Sequence, residues 1–100
     1  MTISVEQALL EAESLLPKFD ITVTPITDKG GRQRLLVAIK IKPGTLDSRG
    51  QELRDGSYRT QEDIPLHTNG VEKSDLIAAV ENMKNYLRTN DLSNGWTNLF

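Results

Sequence analysis

From Ser4 to Leu16 the apolar residues Val5, Ala8, Leu9, Ala12 and Leu16 recur at spacings of three and four, with Leu15 at the edge of the same stripe. That period places them on one face of a helix. Ser4 stands where an N-cap belongs, and Gln7 stands where its reciprocal partner in a capping box belongs. Two backbone N–H groups that a helix cannot satisfy internally thereby gain acceptors. Pro17 ends the run, because its ring disfavours helical geometry at Leu16.

The period then changes to two. Phe19, Ile21 and Val23 alternate with Asp20, Thr22 and Thr24, and Leu35, Val37, Ile39 and Ile41 alternate with Arg34, Leu36, Ala38, Lys40 and Lys42. Both patterns describe half-buried strands. Asp28-Lys29-Gly30-Gly31 lies between them and supplies residues that tolerate a tight turn. An antiparallel hairpin is predicted, with Val23 near Val37, Ile21 near Ile39, and the odd-numbered residues facing the helices.

Pro43-Gly44 closes the second strand, and residues 43–73 are polar, with Leu46, Leu53, Tyr58, Ile64 and Leu66 scattered among charges. A structureless loop of that length is unusual inside a compact domain. Asp55-Gly56 suits a two-residue hairpin turn, which predicts short strands at Gln51 to Arg54 and Ser57 to Gln61. The alternative is a mobile polar segment.

Ser74-Asp75 opens a second helix whose inward stripe is Leu76, Val80, Met83 and Leu87, flanked by Ile77 and Ala79, with Lys84 and Arg88 complementing the dipole near its end. The pattern breaks at Asn90, and the tail 90–100 finishes on Gly95-Trp96-Thr97-Asn98-Leu99-Phe100, an unusually apolar ending. The order α-β-β-(β)-α over residues 1–100 predicts a single small α+β domain, an antiparallel sheet with two helices packed on one face. With its third strand this order resembles that of double-stranded RNA-binding domains. That family's second helix opens on lysines, whereas Asn69-Gly70-Val71-Glu72-Lys73-Ser74-Asp75 offers one lysine among acids. The likeness is one of topology and implies the fold alone.

One hundred residues suffice for one domain. With hydrophobic residues at 37% and only five aromatic side chains, the core must be small and aliphatic. The chain has no cysteine, which removes disulfides, thiolate metal ligation and a cysteine nucleophile together. Met1 to Ser4 runs straight into the amphipathic pattern instead of a basic segment followed by an apolar block. A cytoplasmic location is expected. The longest apolar run, Leu35 to Ile39, falls far short of the roughly 20 residues that cross a bilayer as a helix, so no membrane partner is expected.

Charge changes the picture. Lys29, Arg32, Arg34, Lys40, Lys42, Arg49, Arg54 and Arg59 are opposed in their own stretch only by Asp47, Glu52 and Asp55, while the formal net charge of the chain is -2. Such segregation marks an interaction surface. On the second strand Arg34, Lys40 and Lys42 share the parity opposite to the apolar residues, so they project away from the helices.

Catalytic chemistry finds little support. His67 is the only histidine, which rules out a two-histidine metal site within one chain, and Pro65, Leu66 and Thr68 around it form no nucleophile motif. A surface or turn imidazole is the plain reading. Glu62-Asp63 and the Glu52 and Asp55 pair lack the alternating spacing of a calcium loop and read as solvated charge. Gly30-Gly31-Arg32 would need a following helix to cradle phosphate, and a strand follows instead. No catalytic residue, metal or cofactor is expected.

The expectation is therefore a small non-catalytic protein that docks on another protein with an acidic surface, as an adaptor, assembly factor or regulatory subunit. Arg32, Arg34, Arg49, Arg54 and Arg59 are the expected contacts, because the guanidinium fork binds carboxylates through two hydrogen bonds. Trp96, Leu99 and Phe100 form a second candidate contact, or else fold back on the domain's own core. Nucleic acid on the same basic face is the main rival, although the outward positions Thr22, Thr24, Leu36 and Ala38 provide no stacking platform and Tyr58 is the one aromatic nearby. A further alternative is an enzyme subunit whose site, with His67 and the carboxylates near Glu62, is completed in an oligomer; an unpaired sheet edge leaves self-association open.

Overall fold

A computed structural model describes residues 1–46, 50–52 and 58–90. Its elements run β1 (Thr2–Ile3), α1 (Val5–Leu15), β2 (Phe19–Thr27), β3 (Gln33–Ile41), β4 (Thr60–Pro65), β5 (Val71–Glu72) and α2 (Lys73–Asn90). The expected α+β domain with helices on an antiparallel sheet is what the chain forms. No helix among the described residues is long and apolar enough to cross a membrane.

The capping box at α1 is complete. Gln7 N–H donates to Ser4 Oγ at 3.1 Å, and Ser4 N–H donates to Gln7 Oε1 at 3.3 Å. Before Pro17 the chain leaves helical geometry, and Phe19 N–H donates back to the Leu16 carbonyl at 3.1 Å. This tight exit delivers Phe19 directly into β2.

The β2–β3 hairpin turns on Asp28, whose Oδ1 accepts the N–H groups of Gly30 and Arg32, each at 2.9 Å. Gly31 supplies the positive φ of 79° that the turn needs. The resulting register pairs Val23 with Val37 and Ile21 with Ile39, as the alternation predicts. Phe19, Leu35, Val37, Ile39 and Ile41 are buried beneath the helices, with Ile21 and Val23 packed against them.

The third strand lies later in the chain than the turn at Asp55-Gly56 suggests. β4 pairs antiparallel with β3, setting Thr60 against Ile39, Glu62 against Val37 and Ile64 against Leu35. Thr60 and Gln61 thus pair with β3 and not with a strand at Gln51 to Arg54; Glu52 instead bridges Leu46, and residues 53–57 lie outside the described ones. Only Ile64 among the inward residues of β4 is apolar and buried, so the strand carries almost no period-two signal of its own. Pairing with a strongly apolar neighbour supplies what local pattern does not.

Ala8, Ala12 and Leu16 of the first helical segment and Leu76, Ala79, Val80, Met83 and Leu87 of α2 complete the core, while Ile77 stays 43% exposed. α1 packs over β2 and α2 over β4, and the helices touch each other above β3.

A second, unanticipated sheet joins the ends of the domain: β1 pairs antiparallel with β5, Ile3 against Val71. The turn that leads from β4 into β5 is closed by His67 N–H to the Gly70 carbonyl at 2.7 Å and Gly70 N–H to the His67 carbonyl at 3.1 Å. Gly70 is buried with φ 120°, and a Cβ there would land on the Ile3 carbonyl. Only glycine lets the two backbones approach this closely. Glu72 receives the Met1 ammonium at 3.0 Å and the Thr2 hydroxyl at 2.9 Å. The hydrogen bond from the ammonium, then that from Thr2, then the ammonium charge hold its carboxyl below the usual carboxylate range.

Two stability outcomes follow. Gly70→Ala combines a disfavoured φ with a backbone collision and should destabilise by about 3 kcal/mol or more, read as a lowered denaturant midpoint at unchanged m-value. The folded-state pKa of Glu72 lies below its unfolded value, so its stabilisation is complete at neutral pH and disappears as pH falls through the lowered value. Glu72→Gln should therefore flatten the acid limb of the melting-temperature profile relative to wild type, and parallel acid limbs would show that the contact contributes nothing.

Candidate functional site

Alternation fixes what the uncovered face of the sheet displays. With odd residues of β2 and β3 under the helices, the outward rows read Ile26–Arg34–Pro65, Thr24–Leu36–Asp63, Thr22–Ala38–Gln61 and Asp20–Lys40, with Arg59 beside Lys40 at the start of β4. The ladder extends one step further, because Lys42 N–H donates to the Lys18 carbonyl at 3.1 Å. Lys18 and Lys42 therefore form a fifth outward row.

The three expected arginines among the described residues, Arg32, Arg34 and Arg59, do not gather. Arg34 lies on the face but is committed to Asp63: its Nε donates to Oδ2 at 3.0 Å and its Nη2 to the Asp63 carbonyl at 3.2 Å. Arg32 sits at the hairpin turn and Arg59 at the opposite end of the sheet, roughly 25 Å away at 3.4 Å per residue along β3. Charges that far apart are screened from one another at a Debye length of about 8 Å. Arg49, Arg54, Trp96, Leu99 and Phe100 lie outside the described residues.

What the fold does bring together is a lysine-rich end of the face. Lys18, Lys40, Lys42 and Arg59 are all exposed there and surround a single half-buried carboxylate, Asp20. Neighbouring members are about 5–7 Å apart along or across the strands, within one Debye length. Lys40, Lys42 and Arg59 form no ion pair among the described residues. A cleft of about 590 Å³ opens at this end, lined by Asp20, Thr22, Lys40, Arg59, Gln61 and Tyr86 among others.

Sequence reasoning passed over Lys18 because it belongs to an acidic stretch, although it shares the even parity of Lys40 and Lys42. It also placed the nearby aromatic at Tyr58, which instead packs against the core. Tyr86, half exposed on α2, is the aromatic at the cleft. His67 is exposed in the β4–β5 turn and lines a separate depression with Gln33, Leu66 and Thr68. Among the described residues no three His, Asp or Glu side chains converge as metal ligands would.

The chain matches no protein-family model, no curated protein and no solved structure, so the functional reading rests on the geometry alone.

Proposed function

We propose that this domain is a non-catalytic interaction module, an adaptor, assembly factor or regulatory subunit, that docks an acidic protein surface on the lysine-rich end of its uncovered sheet face. The observation that supports it is the gathering of Lys18, Lys40, Lys42 and Arg59 at one end of the face, with Asp20 among them and Lys40 and Arg59 lining a cleft there. Like charges that outnumber the carboxylate among them and lie within a Debye length raise the local anion concentration and steer an acidic partner. His67 lies in a separate depression with Gln33, Leu66 and Thr68, away from this cleft.

Arg34 has a different part in this scheme. Its charge is matched by Asp63 on the same face, so it adds little to attraction.

The test reverses charge at the cleft. Immobilised Lys40→Glu/Arg59→Glu protein should retain about tenfold less of the acidic protein captured by wild type, while circular dichroism and melting stay unchanged. Arg32→Glu, at the far end of the sheet, should capture normally. Capture that survives the double reversal would remove the cleft from consideration. An eluate released by nuclease, with affinity falling steeply with added salt, would assign the same face to nucleic acid instead.

A further inference from the structure

The cleft at the lysine-rich end is shaped by one small side chain and one short strand. Ala38 of the central strand lies on its floor, between Thr22 of β2 and Gln61 of β4 in the same outward row. β4 begins at Thr60, opposite Ile39, so Lys40 and Ile41 run on without a β4 partner. Tyr86 of α2, the helix packed over β4, lines the opening from the covered side. The volume of about 590 Å³ falls within the roughly 300–1,000 Å³ of small-molecule sites.

Charges along the rim are ordered. Asp20 lies directly opposite Lys40 in the β2–β3 ladder, and Arg59 stands beside Lys40 on its other flank. Adjacent strands are about 4.8 Å apart, so the row Asp20–Lys40–Arg59 spans roughly 10 Å. Like charges on neighbouring strands repel, and neither Lys40 nor Arg59 forms an ion pair among the described residues. One anionic group seated between them would relieve that repulsion. A phosphate monoester suits the pair better than a carboxylate, because it carries about −1.5 to −2 charges near pH 7 and three acceptor oxygens for an ammonium and a guanidinium.

Asp20 sets the chemistry of the ligand's other end. An ionised carboxylate only accepts hydrogen bonds, so it repels a second anion and calls for a donor. Thr22 and Gln61, exposed on either side of Ala38, both donate and accept. A body lying over Ala38 is therefore best matched by hydroxyl groups.

We infer that the cleft binds a small phosphate ester of a hydroxylated carbon skeleton, its phosphate between Lys40 and Arg59 and a hydroxyl donated to Asp20. The inference goes beyond the docking reading and needs no partner protein. Free sugar phosphates and nucleoside monophosphates share this chemistry.

The test titrates the full chain with ribose phosphate, ethyl phosphate and ribose, followed by calorimetry and amide chemical shifts. Ribose phosphate should shift Ala38, Lys40 and Gln61, while ethyl phosphate and ribose each bind about tenfold or more weakly. Asp20→Asn should narrow the gap between ribose phosphate and ethyl phosphate, which separates hydrogen bonding from overall charge. Ala38→Leu fills the floor with every charge in place, and should abolish binding while melting stays unchanged. Adenosine monophosphate assigns the source, tighter binding than ribose phosphate indicating a nucleotide and equal or weaker binding a sugar phosphate; either supports the inference. Equal affinity for ethyl phosphate and ribose phosphate, a gap unchanged in Asp20→Asn, or binding that survives Ala38→Leu would overturn it while leaving charge-driven docking intact. So would the failure of every phosphate ester to bind.

Discussion

The register of the β2–β3 hairpin is the constraint on which the molecule depends. Two N–H bonds to one carboxylate oxygen of Asp28, with Gly31 at positive φ, set Val23 against Val37 and so assign every later side chain to a face. A slip of one residue would carry Leu35, Val37, Ile39 and Ile41 to solvent and drive Arg34, Lys40 and Lys42 under the helices. Each apolar residue of that set contributes about 1.5–3 kcal/mol through burial, and each buried unpaired charge would cost several more. The turn and the apolar pattern thus enforce the same alignment, and the surface chemistry is its by-product.

That by-product explains why linear charge density and spatial charge density differ. Arg32, Arg34 and Lys40 are near neighbours in the chain, yet a strand extends the backbone by about 3.4 Å per residue and spreads them along the whole sheet. Lys18 and Lys42 are distant in the chain and adjacent in space because the ladder runs on past Phe19 and Ile41. The face also acquires its own compensation, since Arg34 meets Asp63 diagonally across two strands. Cations consequently stand at both ends of the hairpin, Lys29 and Arg32 beside its turn and Lys18, Lys40 and Lys42 at the far end.

Much of this was legible in the chain wherever a residue's role follows from its immediate neighbours. The Ser4–Gln7 capping box, the stop at Pro17, the odd-inward strands and the Leu76–Leu87 stripe are local rules, and each holds. Pairing between distant segments was not legible. β4 has one buried apolar residue, Ile64, and exists because β3 offers it a ladder; β1 and β5 are two residues each and exist because Gly70 lets the Ile3 backbone come close. The candidate site suffered for the same reason: Lys18 joins it only through a hydrogen bond to Lys42, and Tyr86 only through the placement of α2. Arginine chemistry pointed to the guanidinium groups, whereas geometry favours lysines.

Proline and side-chain contacts interrupt both edges of this small sheet without closing either entirely. An open edge invites uncontrolled pairing, and Pro25, Pro65 and the Arg34 contact limit it on both sides. What stays open at Ile21 and Val23 is four backbone bonds, worth about 1 kcal/mol each after exchange with water, or roughly 4 kcal/mol together. Association costs an estimated 4–15 kcal/mol in lost freedom of motion. Backbone pairing by itself therefore falls short for an arbitrary strand, and whatever binds must draw the remainder from its side chains. Beside Ile21 and Val23 the open face of β2 offers Asp20, Thr22 and Thr24, so that remainder has to come mainly from apolar contact with the half-buried Ile21 and Val23.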